Sequence, residues 1–151
     1  MAVVSGKSNL IRDYVAGEDA PDPMLTRARL YIATGTVTND AADSSASKYH
    51  LADLPSDCIL DPLTQFDVEN WGFAQVVIGT ETDTDALLDV ARAAATGQSP
   101  IVFGDANHGL ELWQVLGLAA DPGGNIALWA HAEAGATGAG AMPFQVAYRY
   151  R

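Results

Sequence analysis

Short segments in which apolar and polar residues alternate recur along this chain, with turn-forming residues between them. A period of two places successive side chains on opposite faces of a β-strand, whereas an amphipathic helix repeats about every 3.6 residues. The segments with this pattern or with a short β-branched run are 27–36, 48–51, 58–60, 64–69, 73–79, 101–103, 125–131 and 144–150. About eight or nine short strands at near-regular spacing are typical of two packed sheets. We therefore expect an all-β, jelly-roll-like antiparallel β-sandwich with one or two short helices.

One stretch favours a helix instead. Residues 86–95 are rich in alanine, the side chains at 82–85 can cap the first-turn amides, and Gly97 can end the helix. A second stretch, 110–118, fits either a short helix or a strand. The sequence therefore predicts a helix at 86–95 and leaves 110–118 open.

Three carboxylates at alternate positions, Glu81, Asp83 and Asp85, are spaced like oxygen ligands in a calcium loop. A helix–loop–helix calcium loop also needs glycine at its sixth position and glutamate at its twelfth, where this chain has Ala86 and Arg92. We therefore expect these acids to cap the predicted helix and to bind no divalent ion tightly. An oxygen cage of another kind is the alternative.

The charge balance limits the partners that this chain can bind. Eight basic residues against nineteen acidic ones give a net charge of -11. We expect no nucleic-acid partner, because contact with phosphates needs a cationic face. No apolar run approaches the roughly 18 residues of a membrane span, and the N-terminus lacks the apolar core of a signal peptide, so we expect no membrane partner.

The two ends of the chain differ from its acidic middle. Residues 1–26 are expected to form an extended arm, since Pro21 and Pro23 interrupt helix and the arm holds few apolar residues. Residues 27–151 are expected to form the sandwich domain. Basic ends can contact an acidic neighbour, including another copy of this chain; a solvated surface with incidental arginines is the alternative. The candidate contact residues are Lys7, Leu10, Ile11, Arg12, Arg27, Arg29, Tyr148, Arg149, Tyr150 and Arg151.

No combination of residue types in the sequence predicts catalysis, a cofactor or a metal. The histidines lack the spacing of metal ligands, and the glycines form no phosphate-binding loop. Cys58, the single cysteine, stands among acidic and apolar residues that would raise the pKa of its thiol, which disfavours a nucleophile. We therefore expect no catalytic residues and no cofactor. A glycosidase whose carboxylate pair the sequence does not identify is one alternative.

Several strings resemble those of small virion proteins of tailed bacteriophages. They are 34–37 (Thr-Gly-Thr-Val), 43–49 (Asp-Ser-Ser-Ala-Ser-Lys-Tyr), 54–60 (Leu-Pro-Ser-Asp-Cys-Ile-Leu), 78–87 (Ile-Gly-Thr-Glu-Thr-Asp-Thr-Asp-Ala-Leu), 112–118 (Leu-Trp-Gln-Val-Leu-Gly-Leu) and 121–124 (Asp-Pro-Gly-Gly). The resemblance covers residues 28–150 and is to capsid decoration or cement proteins. Because these strings encode strand ends, turns and a helix cap, they carry no catalytic residue.

The resemblance implies a mostly β structural protein on the capsid exterior of a virion. In that role the chain is expected to bind the major capsid protein and to stabilise contacts between its subunits. It also implies a homo-oligomer, which we expect to be a trimer. The alternative is a carbohydrate-binding or adhesion module displayed on a virion, with tryptophans and acidic residues in contact with the sugar.

Overall fold

The structure is a computed structural model, and it describes residues 6–8, 10–11, 16–20, 22–93 and 96–151. Within these ranges the chain forms nine β-strands and two four-residue helices. In chain order they are α1 (Pro23–Thr26), β1 (Arg29–Asn39), β2 (Lys48–Pro55), β3 (Ile59–Leu60), β4 (Gln65–Asp67), β5 (Gln75–Gly79), β6 (Leu88–Ala91), β7 (Gly97–Gln98), α2 (Leu112–Val115), β8 (Asn125–His131) and β9 (Gly140–Tyr150).

The strands form two antiparallel sheets with the orders β1-β9-β4-β7 and β2-β8-β5-β6, and β3 also pairs with β9. The pairing is nested, because β1 pairs with β9, β2 with β8, β4 with β7 and β5 with β6. Strands from the beginning of the chain therefore lie beside strands from its end. The predicted all-β antiparallel sandwich with one or two short helices is confirmed, although the helix expected at 86–95 is not one of the two.

The hydrophobic core lies between the two sheets and takes apolar side chains from both. Phe66 and Val146 of the first sheet and Ile78 and Leu128 of the second are fully buried in it. In β8 alternate side chains are buried, as the pattern at 125–131 predicts. Removing these side chains from water is the main favourable contribution to folding.

The predicted helix at 86–95 is wrong, because this stretch contains strand β6. In β6, Leu88 lies opposite Ile78 and Val90 lies opposite Val76. Leu88 is buried in the core and Val90 packs against it. Cross-strand pairing and burial outweigh the helix preference of alanine, which is weak. The last two residues of the predicted helix lie outside the described residues.

The acids expected to cap that helix lie in the turn between β5 and β6. The Thr80 N–H donates to the Asp83 carbonyl at 2.8 Å, and the Asp83 N–H donates to Thr80 Oγ1 at 3.0 Å. Glu81 forms an ion pair with Lys48 at the start of β2. The predicted helix-capping role of these acids is therefore wrong, while their low affinity for divalent ions stays a prediction.

The predicted strand at 101–103 is also wrong. Val102 and Phe103 are 61% and 80% exposed, so they have no sheet to pack on. The Val102 N–H donates to Asp105 Oδ2 at 3.2 Å within a turn. This loop projects two large apolar side chains into solvent.

Local caps explain the two short helices. At the start of α2 the Glu111 N–H donates to Gln114 Oε1 at 3.0 Å. The stretch 110–118, which fits either a helix or a strand by sequence, is therefore helical in its centre. At the start of α1, Asp22 Oδ1 accepts a first-turn N–H at 2.8 Å. Pro23, which was expected to interrupt helix, begins one, because the first helical position needs no N–H donor.

Candidate contact surface

The register between β1 and β9 brings basic residues from both ends of the chain to one place. Three cross-strand pairs lie there, formed by Arg29 and Tyr150, Leu30 and Arg149, and Tyr31 and Tyr148. Arg27 precedes these pairs along the chain and Arg151 follows them, so four of the eight basic residues lie at this end of the β1–β9 ribbon. We call residues 27–32 and 148–151 the ribbon end. Six of the ten candidate contact residues belong to it.

Aromatic stacking holds the two strands together at the ribbon end. The Tyr31 and Tyr148 rings stack with their centroids 5.6 Å apart and their planes 20° apart. Burial raises the pKa of Tyr148, with smaller contributions from the Cys58 thiol and Tyr31. Tyr148 is half-buried, whereas Tyr31, which stacks on it, is exposed.

Apolar side chains are exposed on both faces of β1 at the ribbon end. Leu30 and Ile32 are 47% and 51% exposed, and Tyr31 between them is also exposed. Successive residues of a strand point to opposite faces, so neither face of this part of β1 is covered. Sequence reasoning missed Leu30 and Ile32 as contact residues. The available signal was the run of three large apolar residues, which interrupts the polar–apolar alternation.

An apolar groove of about 620 Å³ adjoins the ribbon end. Four exposed large side chains line it, namely Leu10, Leu25, Leu63 and Phe103. Arg149 also lines the groove and so connects it to the ribbon end. Its Nε is buried and has no hydrogen-bond partner among the residues that the structure describes. Contiguous exposed apolar surface of this kind marks interaction sites on many proteins.

The candidate contact residues of the arm are less concentrated. Leu10 lies in the groove, and Ile11 is exposed. Lys7 forms an ion pair with Glu18, 2.8 Å away and also in the arm. Arg12 lies outside the described residues. At the other end of the chain, Arg151 Nη2 donates to Asp57 Oδ2 at 3.2 Å, an exposed pair of the kind that contributes about 0–1 kcal/mol.

Cys58 is placed as a core residue. Its side chain is fully buried, and burial, assisted by the negative charge of Asp57, raises the pKa of the thiol to about 12. The prediction that its surroundings raise this pKa is confirmed. Because a nucleophilic cysteine needs its thiolate, this geometry gives Cys58 no role in catalysis.

Each histidine has a structural contact. His131 Nε2 lies 2.7 Å from the Thr80 carbonyl oxygen, His50 Nε2 lies 2.9 Å from Asp53 Oδ1, and His108 Nδ1 accepts the Gly104 N–H. In the part of the chain that the structure describes, no three His, Cys, Asp or Glu side chains lie close enough to hold a metal ion together.

The three tryptophans that the carbohydrate-binding alternative would use make contacts with other residues of the protein. Trp71 is buried in the core, and Trp113 Nε1 donates to Glu111 Oε2 at 2.5 Å. Trp129 is half-buried and stacks on His50 at 4.6 Å between ring centroids. This arrangement does not favour sugar stacking on any of the three.

A second hollow of about 340 Å³ lies where β1, β4, β7 and β9 meet, and polar residues such as Gln65, Asp67 and Gln145 line it. Among the described lining residues, Asp67 is the one carboxylate of this hollow and Asp61 is the one carboxylate of the apolar groove. Glycoside hydrolysis by the usual route needs two carboxylates that flank the scissile bond. The described residues of these two hollows do not provide that pair.

The chain matches no protein-family model, no curated protein and no solved structure. Among the described residues, no helix has both the length and the apolar character needed to cross a bilayer. The ribbon end and the adjoining groove are therefore the features on which a function can be argued.

Proposed function

We propose that this protein is a structural capsid decoration protein that binds the outer surface of an assembled phage shell and stabilises contacts between major capsid protein subunits. One observation carries the proposal: six of ten contact residues chosen from both ends of the chain converge on the ribbon end, beside an exposed apolar groove. A decoration protein needs such an adhesive surface on a rigid core and needs no catalytic centre.

The surface has the chemistry of a docking site. Burial of exposed apolar side chains such as Phe103 and Leu63 contributes about 25 cal/mol for each Å² removed from water. Arg149 and Arg151, on the β9 side of the ribbon end, complement an acidic patch on the shell, while the net charge of -11 on the whole chain disfavours other orientations. Each contact can be weak, since a shell presents many identical sites and an oligomer binds several of them at once.

The strand order supports the jelly-roll part of the proposal. When the two-residue β3 is set aside, eight strands pair from the outside of the sequence inwards and divide into two four-stranded sheets. A long antiparallel hairpin wound into two sheets gives this order, which is the order of a jelly roll. Such a core holds the first and last strands side by side and so presents the ribbon end as one rigid unit.

Adding the purified chain to shells that lack it tests the proposal. We expect binding at a fixed stoichiometry and a higher melting temperature of the shell, because a ligand of the assembled lattice alone shifts disassembly by mass action. Binding should weaken with salt, since exposed charges are screened over about 8–10 Å. Full binding without a change in shell melting would instead favour display or adhesion. No binding at low or high salt would reject the capsid assignment.

A pair of variants connects this binding to the groove. Phe103→Asp places a charge among the groove's apolar side chains and is expected to weaken shell binding by roughly tenfold or more, about 1.4 kcal/mol. Val102→Asp is the matched control, because Val102 is the adjacent exposed residue and does not line the groove. Titration of shells with each purified variant measures the difference. Equal loss of affinity in both variants would contradict a role for the groove.

A further inference from the structure

Among the described strands, β1 is the one long outer strand whose free edge lacks a feature that would prevent pairing with a strand of another chain. The other outer strands are β3 and β7 with two residues each, β6 with four residues and the charged Asp89, and β2, whose register with β8 shifts between His50 and Ala52. Short edges, charges and bulges of this kind prevent edge-to-edge association of sheets. In β1 the one charged residue is the first, Arg29, and none of these devices interrupts the strand from Leu30 to Asn39.

The free edge of β1 has the properties of a pairing site. Its eleven residues run in unbroken register with β9 on one side, and no described strand pairs with the other side. Alternate residues of β1 therefore point their N–H and C=O groups away from the sheet. The strand contains neither proline nor lysine, and its exposed Leu30, Tyr31 and Ile32 leave apolar surface on both faces. An added strand would satisfy the backbone groups and cover these side chains.

The charges at the two ends of β1 indicate that a second copy of this chain supplies the added strand. Arg27 and Arg29 stand at the beginning of the strand, and Asp40 and Asp43 follow its end. A second copy running antiparallel would place the positive end of each strand beside the negative end of the other, and would do so twice. A parallel copy would place like charges together. The edge is thus complementary to itself in the antiparallel direction.

We propose that two copies of this chain pair through the free edges of their β1 strands, antiparallel and about a two-fold axis near Thr34. In this register Tyr31 of one copy lies opposite Val37 of the other, and Leu30 lies opposite Thr38, so the exposed apolar residues become covered. The contact joins the β1–β9 sheets of both copies into one continuous sheet. It gives a dimer in place of the trimer expected from the resemblance. The proposal does not rest on the capsid role.

Sedimentation velocity of the full chain over a wide concentration range, without shells, tests the pairing. We expect a reversible monomer–dimer equilibrium. Ile32→Lys should raise the dissociation constant roughly tenfold or more, because a charge on the strand disfavours edge pairing. Val102→Lys is the control, since Val102 is also exposed, at 61% against 51% for Ile32, but is far from β1 in sequence and outside any strand. This variant should dimerise as the wild type does. A monomer at every concentration, a trimer, or an unaffected Ile32→Lys variant would overturn the proposal.

A charge exchange tests the antiparallel direction even if Ile32→Lys fails to fold. In the proposed contact, position 29 of each copy lies near position 40 of the other copy. When both copies carry Arg29→Glu, two acidic groups meet at each end of the contact, and when both carry Asp40→Lys, two basic groups meet there. Each variant should therefore dimerise poorly. A mixture of the two restores attraction at both ends and should form a heterodimer. Among the described residues, the Asp40 side chain accepts one hydrogen bond, from the exposed Ala42 N–H to Oδ1 at 3.1 Å, so its replacement should leave the fold intact. A mixture that pairs no better than either variant would overturn the proposal, whatever the result with shells.

Discussion

At the scale of single residues, Cys58 and Tyr49 link the folded state to alkaline pH. Burial, followed by the Asp57 charge, raises the pKa of the Cys58 thiol from 9.0 to about 12. Burial, followed by the hydrogen bond to Asp43, raises the pKa of Tyr49 from 10.0 to about 12. A group whose pKa is higher in the folded state stabilises it fully below the unfolded-state pKa, and that contribution is lost as pH rises through the folded-state pKa.

We therefore expect the free energy of unfolding to fall as pH rises from about 9 to about 12, and to fall less steeply in Cys58→Ala. The variant should also lose about 1 kcal/mol at neutral pH, because it leaves a small cavity. Chemical denaturation at a series of pH values measures both effects. Val146→Ala, which removes buried apolar volume but no titrating group, should keep the wild-type slope. An unchanged slope in Cys58→Ala would contradict the burial of a neutral thiol.

The residue scale also shows what the sequence could predict about the candidate surface. The direction of the Cys58 pKa shift was predictable in part, because Asp57, which contributes after burial, is adjacent in the chain, whereas the burial itself depends on the packing of the two sheets. The exposure of Leu30 and Ile32 was not predictable, because it depends on β1 being the outermost strand of its sheet. An apolar residue in a strand is normally assigned to the core, and only the arrangement of strands reverses that assignment.

At the scale of elements, prediction succeeded where the pattern within a segment was enough. β5 and β8 were predicted from their own β-branched and alternating residues. β6 and β7 were missed, because four and two residues carry almost no pattern and become strands only by pairing with a neighbour. The alanines in and after β6 favour a helix, but the cross-strand contacts of β6 with β5 outweigh this helix propensity.

At β6, the sign of the change in the free energy of unfolding caused by one substitution distinguishes a strand from a helix. If residues 86–95 formed the predicted helix, Val90→Ala would be expected to stabilise the protein slightly, since alanine has the higher helix propensity. In the structure Val90 packs against the core opposite Val76, so Val90→Ala should lower the free energy of unfolding by about 1 kcal/mol. Denaturant unfolding measures the change. Val102→Ala, at an exposed position, should change it by less than about 0.5 kcal/mol. A more stable Val90→Ala variant would contradict the strand.

At the scale of the whole molecule, nested pairing explains why the contact residues were predictable one by one but not as a surface. Basic and aromatic residues at the two ends of the chain could be recognised from composition. Their convergence depends on β1 pairing with β9, a contact between segments more than a hundred residues apart. The groove depends in addition on the turn around 61–63 and the loop around 103–109 reaching the same place. No local pattern encodes such distances.

The arm provides the remaining test at this scale. Among its described residues before Asp22 no side chain is buried, whereas Leu10 lines the groove and α1 keeps its own Asp22 cap. Deletion of residues 1–21 should therefore leave the melting temperature of the sandwich within a few degrees of the wild type, because a change of 1 kcal/mol corresponds to roughly 2–4 °C at this size. The same deletion should weaken shell binding, since the groove loses one of its apolar walls. Differential scanning calorimetry of the isolated protein and titration of shells measure the two effects separately. Unfolding of the truncated protein would show that the arm belongs to the core. Unchanged shell binding would show that the arm does not contribute to the contact with the shell. A truncated protein that stays folded but binds shells more weakly is the result expected for an arm that contributes to binding and not to folding.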